Sequence, residues 1–97
     1  MIKARHVLNR KLVSGKVALQ ELIWAVPKPV PGSIHGYKYR LALIVDGECV
    51  LRYDNERGKG DHRHFRDQES IYVFVSMERL MDDFRADVQR ILQEMQT

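Results

Sequence analysis

Three features predict an α+β protein: a small, mostly antiparallel β-sheet with a C-terminal α-helix packed on one face. Short apolar segments broken by turn residues occupy most of the chain up to residue 75. Asp46-Gly47, set between two of these segments, is a strong hairpin signal. Residues 77–95 then carry apolar side chains at helical spacing. One antiparallel sheet crossed by one helix is the simplest way to bury that stripe. Ninety-seven residues give one domain, 1–97, with a single modest core.

Arg5 to Val13 places short apolar residues between basic ones and predicts a first, edge strand ending at the Ser14-Gly15 turn. Lys16 to Val26 predicts a second strand, with Val17, Leu19 and Ile23 on one face and Ala18, Leu22, Trp24 and Val26 on the other. A helix through Gln20, Glu21 and Leu22 is the competing expectation. Pro27-Lys28-Pro29-Val30-Pro31-Gly32 then removes three amide donors and holds its neighbours extended, which predicts a stiff crossing. Tyr37, Tyr39, Leu41, Leu43 and Val45 share one parity and predict the clearest strand, returning through Asp46-Gly47 into Glu48–Tyr53. A plain two-residue turn would set Val45 opposite Glu48, Leu43 opposite Val50 and Leu41 opposite Arg52. That crossed apolar pattern predicts a bulge or a longer connection. Ser70 to Val75 has apolar residues on both sides, which predicts a covered strand. Ser76 is the candidate N-cap of a helix from Met77 to Met95, with Glu78 at its positive end. Its stripe is Met77, Met81, Phe84, Val88, Ile91, Leu92 and Met95, with Leu80 alongside.

The net charge of +3 is unevenly spread. Residues 1–66 hold thirteen Lys/Arg against six Asp/Glu, and residues 67–97 hold three against seven. A basic first part favours a polyanionic ligand there. The single cysteine, Cys49, excludes an intrachain disulfide and a four-cysteine zinc site, and its alternating segment predicts a buried apolar role. No uninterrupted apolar run announces a signal peptide or a membrane span, so a cytoplasmic protein is expected.

Residues 52–64 concentrate the candidate chemistry in what reads as a polar, glycine-loosened loop. His62 and His64 share a parity and point the same way in extended chain. Asp54 and Asp61 could fix their tautomers. Arg52, Arg57, Lys59, Arg63 and Arg66 would gather an anionic substrate, with Tyr53 and Asn55 as further contacts. These groups suit phosphodiester cleavage without a metal or cofactor. One histidine would deprotonate an RNA 2′-hydroxyl, the other would protonate the leaving 5′-oxygen, and the cations would stabilise the charge that develops. His62, His64 and Asp54 or Asp61, with His6 or His35, form an alternative metal set that five nearby cations oppose. Gly58-Lys59-Gly60 lacks the pattern of a phosphate-binding loop.

The set Tyr53-Asp54-Asn55, Gly58, Gly60, Asp61-His62-Arg63-His64, the following strand, and Glu78-Arg79-Leu80 through Asp83-Phe84 resembles the TumE-type toxin family of toxin–antitoxin modules. The resemblance covers residues 35–95 well and the first third more loosely. It implies a small cytoplasmic toxin paired with an antitoxin, commonly a helix-turn-helix DNA-binding protein. It maps the family motif onto Tyr53, Asp54, Asn55, Asp61, His62, Arg63 and His64. The leading expectation is therefore an RNA-cleaving toxin. The alternative is a non-catalytic nucleic-acid or antitoxin-binding protein whose basic loop is an interface, and the apolar helix stripe also leaves room for a homo-oligomer.

Overall fold

The computed structural model describes residues 3–96. Six strands form one antiparallel meander: β1 (Arg5–Ser14), β2 (Val17–Ala25), β3 (Tyr37–Val45), β4 (Glu48–Glu56), β5 (Gly60–Phe65) and β6 (Gln68–Ile71). Helix α1 (Met77–Met95) follows and packs across one face. Every neighbour in the sheet is a neighbour in sequence, so short turns make all the connections except the proline-bearing one between β2 and β3.

The β3–β4 turn uses Asp46 at φ 52 and Gly47 at φ 78, the paired positive values of a tight hairpin that follows strand twist. The register then shifts between Leu43 and Ile44. Val45 faces Glu48 and Ile44 faces Cys49, but Leu43 meets Leu51 and Leu41 meets Tyr53. The bulge resolves the crossed pattern: Val50 and Leu51 are both buried, and Leu41, Leu43, Leu51 and Tyr53 join one face. It also corrects the expectation for Cys49, which stays on the exposed side near the turn.

The core lies between this face and the helix. Leu80, Phe84, Val88 and Ile91 are the buried helical residues, facing Ile23, Tyr39, Leu41, Leu43 and Leu51. Each such side chain contributes roughly 1.5–3 kcal/mol on burial. The stripe is centred on Leu80, with Met77, Met81 and Leu92 on its flanks, and Met95 is exposed, contrary to the expected seam. Ser76 caps the helix by accepting the Arg79 amide at 3.0 Å, a contact worth about 1 kcal/mol. Glu21, 2% exposed, meets Arg85 of the helix at 3.3 Å and Arg10 of β1 at 3.4 Å.

Two expectations are corrected at the far end of the sheet. Residues 54–64 are not a loose loop, because β4 continues to Glu56 and β5 begins at Gly60. Nor is Ser70–Val75 a covered strand. The paired part is Gln68–Ile71, an edge strand, and Ile71, Val73 and Val75 are exposed. Tyr72 and Phe74 alone turn inward: the Tyr72 hydroxyl donates to Asp83 at 2.7 Å, and Phe74 stacks on His35 at 3.7 Å between centroids. The alternation was real, but the chain leaves the sheet there to reach the helix.

The proline segment serves as the stiff crossing expected of it. Pro31 accepts the Gly58 amide at 2.6 Å, and Gly32 lies so close to Gly60 that a side chain on either would strike backbone. The connector is thereby fastened to the β4–β5 turn, which sets Ser33 and His35 beside β5.

Candidate functional site

Strand pairing sorts the residues of 52–64 onto two faces. Directly opposed residues in an antiparallel pair share a side. Tyr53 opposes Arg63 and Asn55 opposes Asp61, and these face the helix. Asp54 opposes His62 and Arg52 opposes His64, and these face the side that no helix covers. The motif is thus read alternately by the core and by the open face, because β4 and β5 are regular strands.

On the helix side the polar groups are consumed internally. Asp61, with its side chain only 9% exposed, accepts from Ser33 Oγ at 2.5 Å through Oδ1. Its Oδ2 accepts from the Tyr39 hydroxyl and from His35 Nε2, each at 2.7 Å. His35 Nδ1 accepts the Tyr37 amide at 3.2 Å, so its hydrogen sits on Nε2 and points at Asp61. Asn55 accepts the Tyr39 amide at 2.9 Å and donates to the Tyr37 carbonyl at 2.8 Å. Burial, the Asp61 hydrogen bond and the Asp61 charge push the Tyr39 hydroxyl far above its ordinary range. Asp61 does orient a histidine, but the histidine is His35.

Beside this cluster, Arg63 Nε donates to Asp87 of the helix at 2.8 Å, and the Tyr53 hydroxyl donates to the same oxygen. Burial disfavours the Asp87 carboxylate, yet hydrogen bonds from Arg63, Tyr53 and Arg90 prevail and hold it below the usual carboxylate value. Burial and the bond to Asp87 raise the Tyr53 hydroxyl well above its ordinary value. Burial and the bond to Asp83 raise Tyr72 in the same way. Arg63 and Tyr53 therefore clamp the helix to the sheet.

On the open side, His62 and His64 lie with ring centroids 6.3 Å apart. His62 Nδ1 is 3.1 Å from the Gly60 carbonyl, an arrangement that places its hydrogen there and leaves Nε2 on the Glu69 side. His64 Nε2 stands 3.8 Å from both Asp54 Oδ1 and Glu69 Oε1, and the same Glu69 oxygen is 3.7 Å from His62 Nε2. Asp54 is 7% exposed, and its Oδ1 has no hydrogen-bond partner. Arg52 Nε is 2.8 Å from the other oxygen, an ion pair by distance in which Nε does not align as a donor. A buried carboxylate oxygen left unbonded behind a histidine is costly for folding alone. Arg40 opposes Asp54 on this face and is exposed.

Of the remaining candidate cations, Arg57 is exposed in the β4–β5 turn and Lys59 sits 3.6 Å from Glu56. Arg66 occupies the β5–β6 turn at φ 53 over the Phe65 ring. Among the described residues no three His, Cys, Asp or Glu side chains converge as a metal set. No helix among the described residues is long and apolar enough to cross a membrane.

The model of the family described as Toxin TumE matches residues 3–92. The chain belongs to the TumE toxin family. The match includes the basic first third, where the motif resemblance was loosest, and it runs through nearly all of the helix. No curated protein and no solved structure matches the chain. As a TumE-family toxin of a toxin–antitoxin module, it implies an antitoxin partner.

Of the residues that complete both faces, the sequence singled out only His35, and that as a candidate metal ligand. Ser33, His35 and Tyr39 reach Asp61 across 22 to 28 positions, and Glu69 reaches the histidines only once β6 folds back. Their signal was the register of β3, β4 and β5, which no local pattern supplies. Arg40 could have been found from the parity of β3 once its pairing with Asp54 was known.

Proposed function

We propose that this TumE-family toxin cleaves RNA on the open face of its sheet, with His62 and His64 as the acid–base pair. The observation that carries the proposal is the juxtaposition of those two rings, 6.3 Å apart, backed by the unbonded buried oxygen of Asp54 and flanked by Arg52. A phosphodiester set between the rings would meet one nitrogen base on each side.

His62, with its Nδ1 hydrogen held by the Gly60 carbonyl, takes the proton of the 2′-hydroxyl on Nε2, the nitrogen that Glu69 faces at 3.7 Å. The 2′-oxygen then bonds to phosphorus and the bond from phosphorus to the 5′-oxygen breaks. That leaves His64 to donate the proton the 5′-oxygen needs, and the products are a 2′,3′-cyclic phosphate and a 5′-hydroxyl. Asp54 positions His64 through the Nε2 it faces at 3.8 Å, a gap that closes on catalytic alignment. Arg52 and Arg40 supply positive charge for the phosphorane-like transition state. Asp61, Asn55, Tyr53 and Arg63 act as positioning residues, since they hold β5 and the helix in the geometry that aims the histidines. Arg57, Lys59 and Arg66, at the two ends of β5, draw the polyanion in.

The test is cleavage of total cellular RNA by purified toxin, with and without ribosomes and with EDTA, beside His62→Ala and His64→Ala. Each substitution should lower the rate about 100-fold or more, and EDTA should leave it unchanged. Full activity in both variants overturns the assignment. Tight, salt-sensitive binding of RNA without cleavage would instead make the face a non-catalytic grip.

A further inference from the structure

The open face also carries Trp24, His6 and Lys38, which the acid–base proposal does not use. Trp24, the one tryptophan of the chain, lies outside the core cluster. It opposes Lys38, and two residues along Leu22 opposes Arg40, which opposes Asp54, which opposes His62. The indole therefore shares the histidines' side of the sheet. On β1, His6 opposes it, with ring centroids 5.4 Å apart, and the indole Nε1–H donates to His6 Nε2 at 3.3 Å. A cleft of ≈ 220 Å³ lined by Ala4, Trp24, Val26 and Lys38 opens beside the ring. Lys38 and Arg40 are both exposed, and neither has a carboxylate partner among the described residues.

The largest apolar side-chain type has thus been placed on the uncovered face, beside an imidazole and next to unpaired cations. An aromatic plane with adjoining positive charge fits a nucleobase and its phosphate, since every base offers a π-face. The spacing also fits. From β5 to β2 is three inter-strand steps of about 4.8 Å, and from the level of His62 to that of Trp24 is one two-residue step of about 6.8 Å, roughly 16 Å in all. An extended single strand covers that in about two or three nucleotides. Arg40 lies on the direct path between the two groups.

We infer that Trp24 and His6 form a base-stacking subsite for single-stranded RNA, two or three nucleotides from the phosphate held at His62 and His64, with Lys38 and Arg40 guiding the backbone between them. This rests on the RNA-cleaving reading of the same face. It makes the toxin a reader of unpaired RNA, because a base stacked in a duplex cannot also lie on the indole.

Trp24 is its own reporter. A 2′-O-methyl oligoribonucleotide, which lacks the nucleophilic hydroxyl, is titrated into the intact toxin while tryptophan emission and the anisotropy of a dye on the RNA are followed. Emission should be quenched with the same saturation as the anisotropy. One abasic nucleotide at the position that reaches Trp24 should remove the quenching, and moving it elsewhere should not. Trp24→Ala should weaken binding about 5- to 100-fold, and Trp24→Phe should restore most of it. Single-turnover cleavage at saturating RNA should be unchanged in both variants, which separates a binding subsite from a group acting at the reacting phosphate. Salt-sensitive binding with no quenching, and equal affinity in Trp24→Ala, overturns the subsite while leaving cleavage at the histidines intact. Absence of both RNA binding and cleavage in the wild-type toxin overturns the subsite together with the functional reading on which it rests.

Discussion

Replacing Asp61 separates holding the fold from performing chemistry. Its carboxylate accepts three hydrogen bonds, from Ser33, His35 and Tyr39, in a site where its side chain is 9% exposed. Bonds to a charged acceptor are worth about 1.5–3 kcal/mol each, but they share one carboxylate and do not simply add. Asp61→Ala also strands three donors, so the expected loss is about 3–5 kcal/mol. A chain of this length has roughly 5–15 kcal/mol in total. With a urea slope of about 1–2 kcal/mol per molar, the midpoint should fall by roughly 2 M or more. Equilibrium unfolding followed by Trp24 fluorescence and by circular dichroism reads the change. Asp54→Asn is the contrast, because Oδ1 of Asp54 has no hydrogen-bond partner to lose and its other oxygen meets Arg52 Nε only as an ion pair that does not align as a hydrogen bond. It should cost less than about 1 kcal/mol while reducing RNA cleavage. An Asp61→Ala protein whose unfolding free energy lies within about 0.5 kcal/mol of wild type, a change of ordinary surface size, would contradict this assignment. So would an Asp54→Asn protein destabilised as much as Asp61→Ala.

Gly60→Ala should cost about 2–4 kcal/mol, because the residue sits at φ 76 and its new Cβ would lie 2.8 Å from the Gly32 carbonyl. Gly58→Ala, at φ 82 with open space around it, should cost only about 1 kcal/mol, and thermal unfolding of the two reads the difference. Asp87 is held below the ordinary carboxylate value of 3.8, so its stabilisation is present above that value and lost as pH falls through the folded-state value. Urea midpoints taken down the acid limb should show this slope in wild type and a flatter one in Asp87→Asn. Tyr39, Tyr53 and Tyr72 are raised above the ordinary 10.0, so their contribution is complete below pH 10 and disappears as pH climbs towards the folded-state values. Phenolate absorbance should accordingly show these three ionising together with alkaline unfolding, and their smooth titration in folded protein near pH 10 would count against the hydrogen bonds to Asp61, Asp87 and Asp83.

The helix and the first four strands were legible because their signals are local. Ser76, the 3.6-residue stripe and Asp46-Gly47 each act within a few residues, and even the bulge was foreshadowed by the mismatch of Leu43 with Val50. The far end of the sheet was not. Gly58 and Gly60 read as loosening a loop, whereas their positive φ values close a tight turn that lets β4 and β5 pair. In Ser70–Val75 the apolar alternation is satisfied by Tyr72 and Phe74 packing inward after the strand has ended, which periodicity cannot distinguish from a covered strand. The candidate site was legible as a list but not as a geometry. Parity placed His62 and His64 together, and the same parity divides Asp54 from Asp61 once β4 and β5 are known to pair. That Asp61 belongs to His35 depends on where the proline crossing lands, a contact 26 residues away in sequence.

In the proposed reaction the histidine pair on the open face uses the RNA's own 2′-hydroxyl as nucleophile. The most direct test of that step is the chemistry of the cut end, read on an oligoribonucleotide cleaved at one known position and on the same strand carrying a single 2′-deoxy substitution there. The first strand should end in a 2′,3′-cyclic phosphate and the second should not be cut at that position, with the product absent for His62→Ala and His64→Ala. A 5′-phosphate end, or cleavage that persists through the 2′-deoxy position, would contradict that reaction.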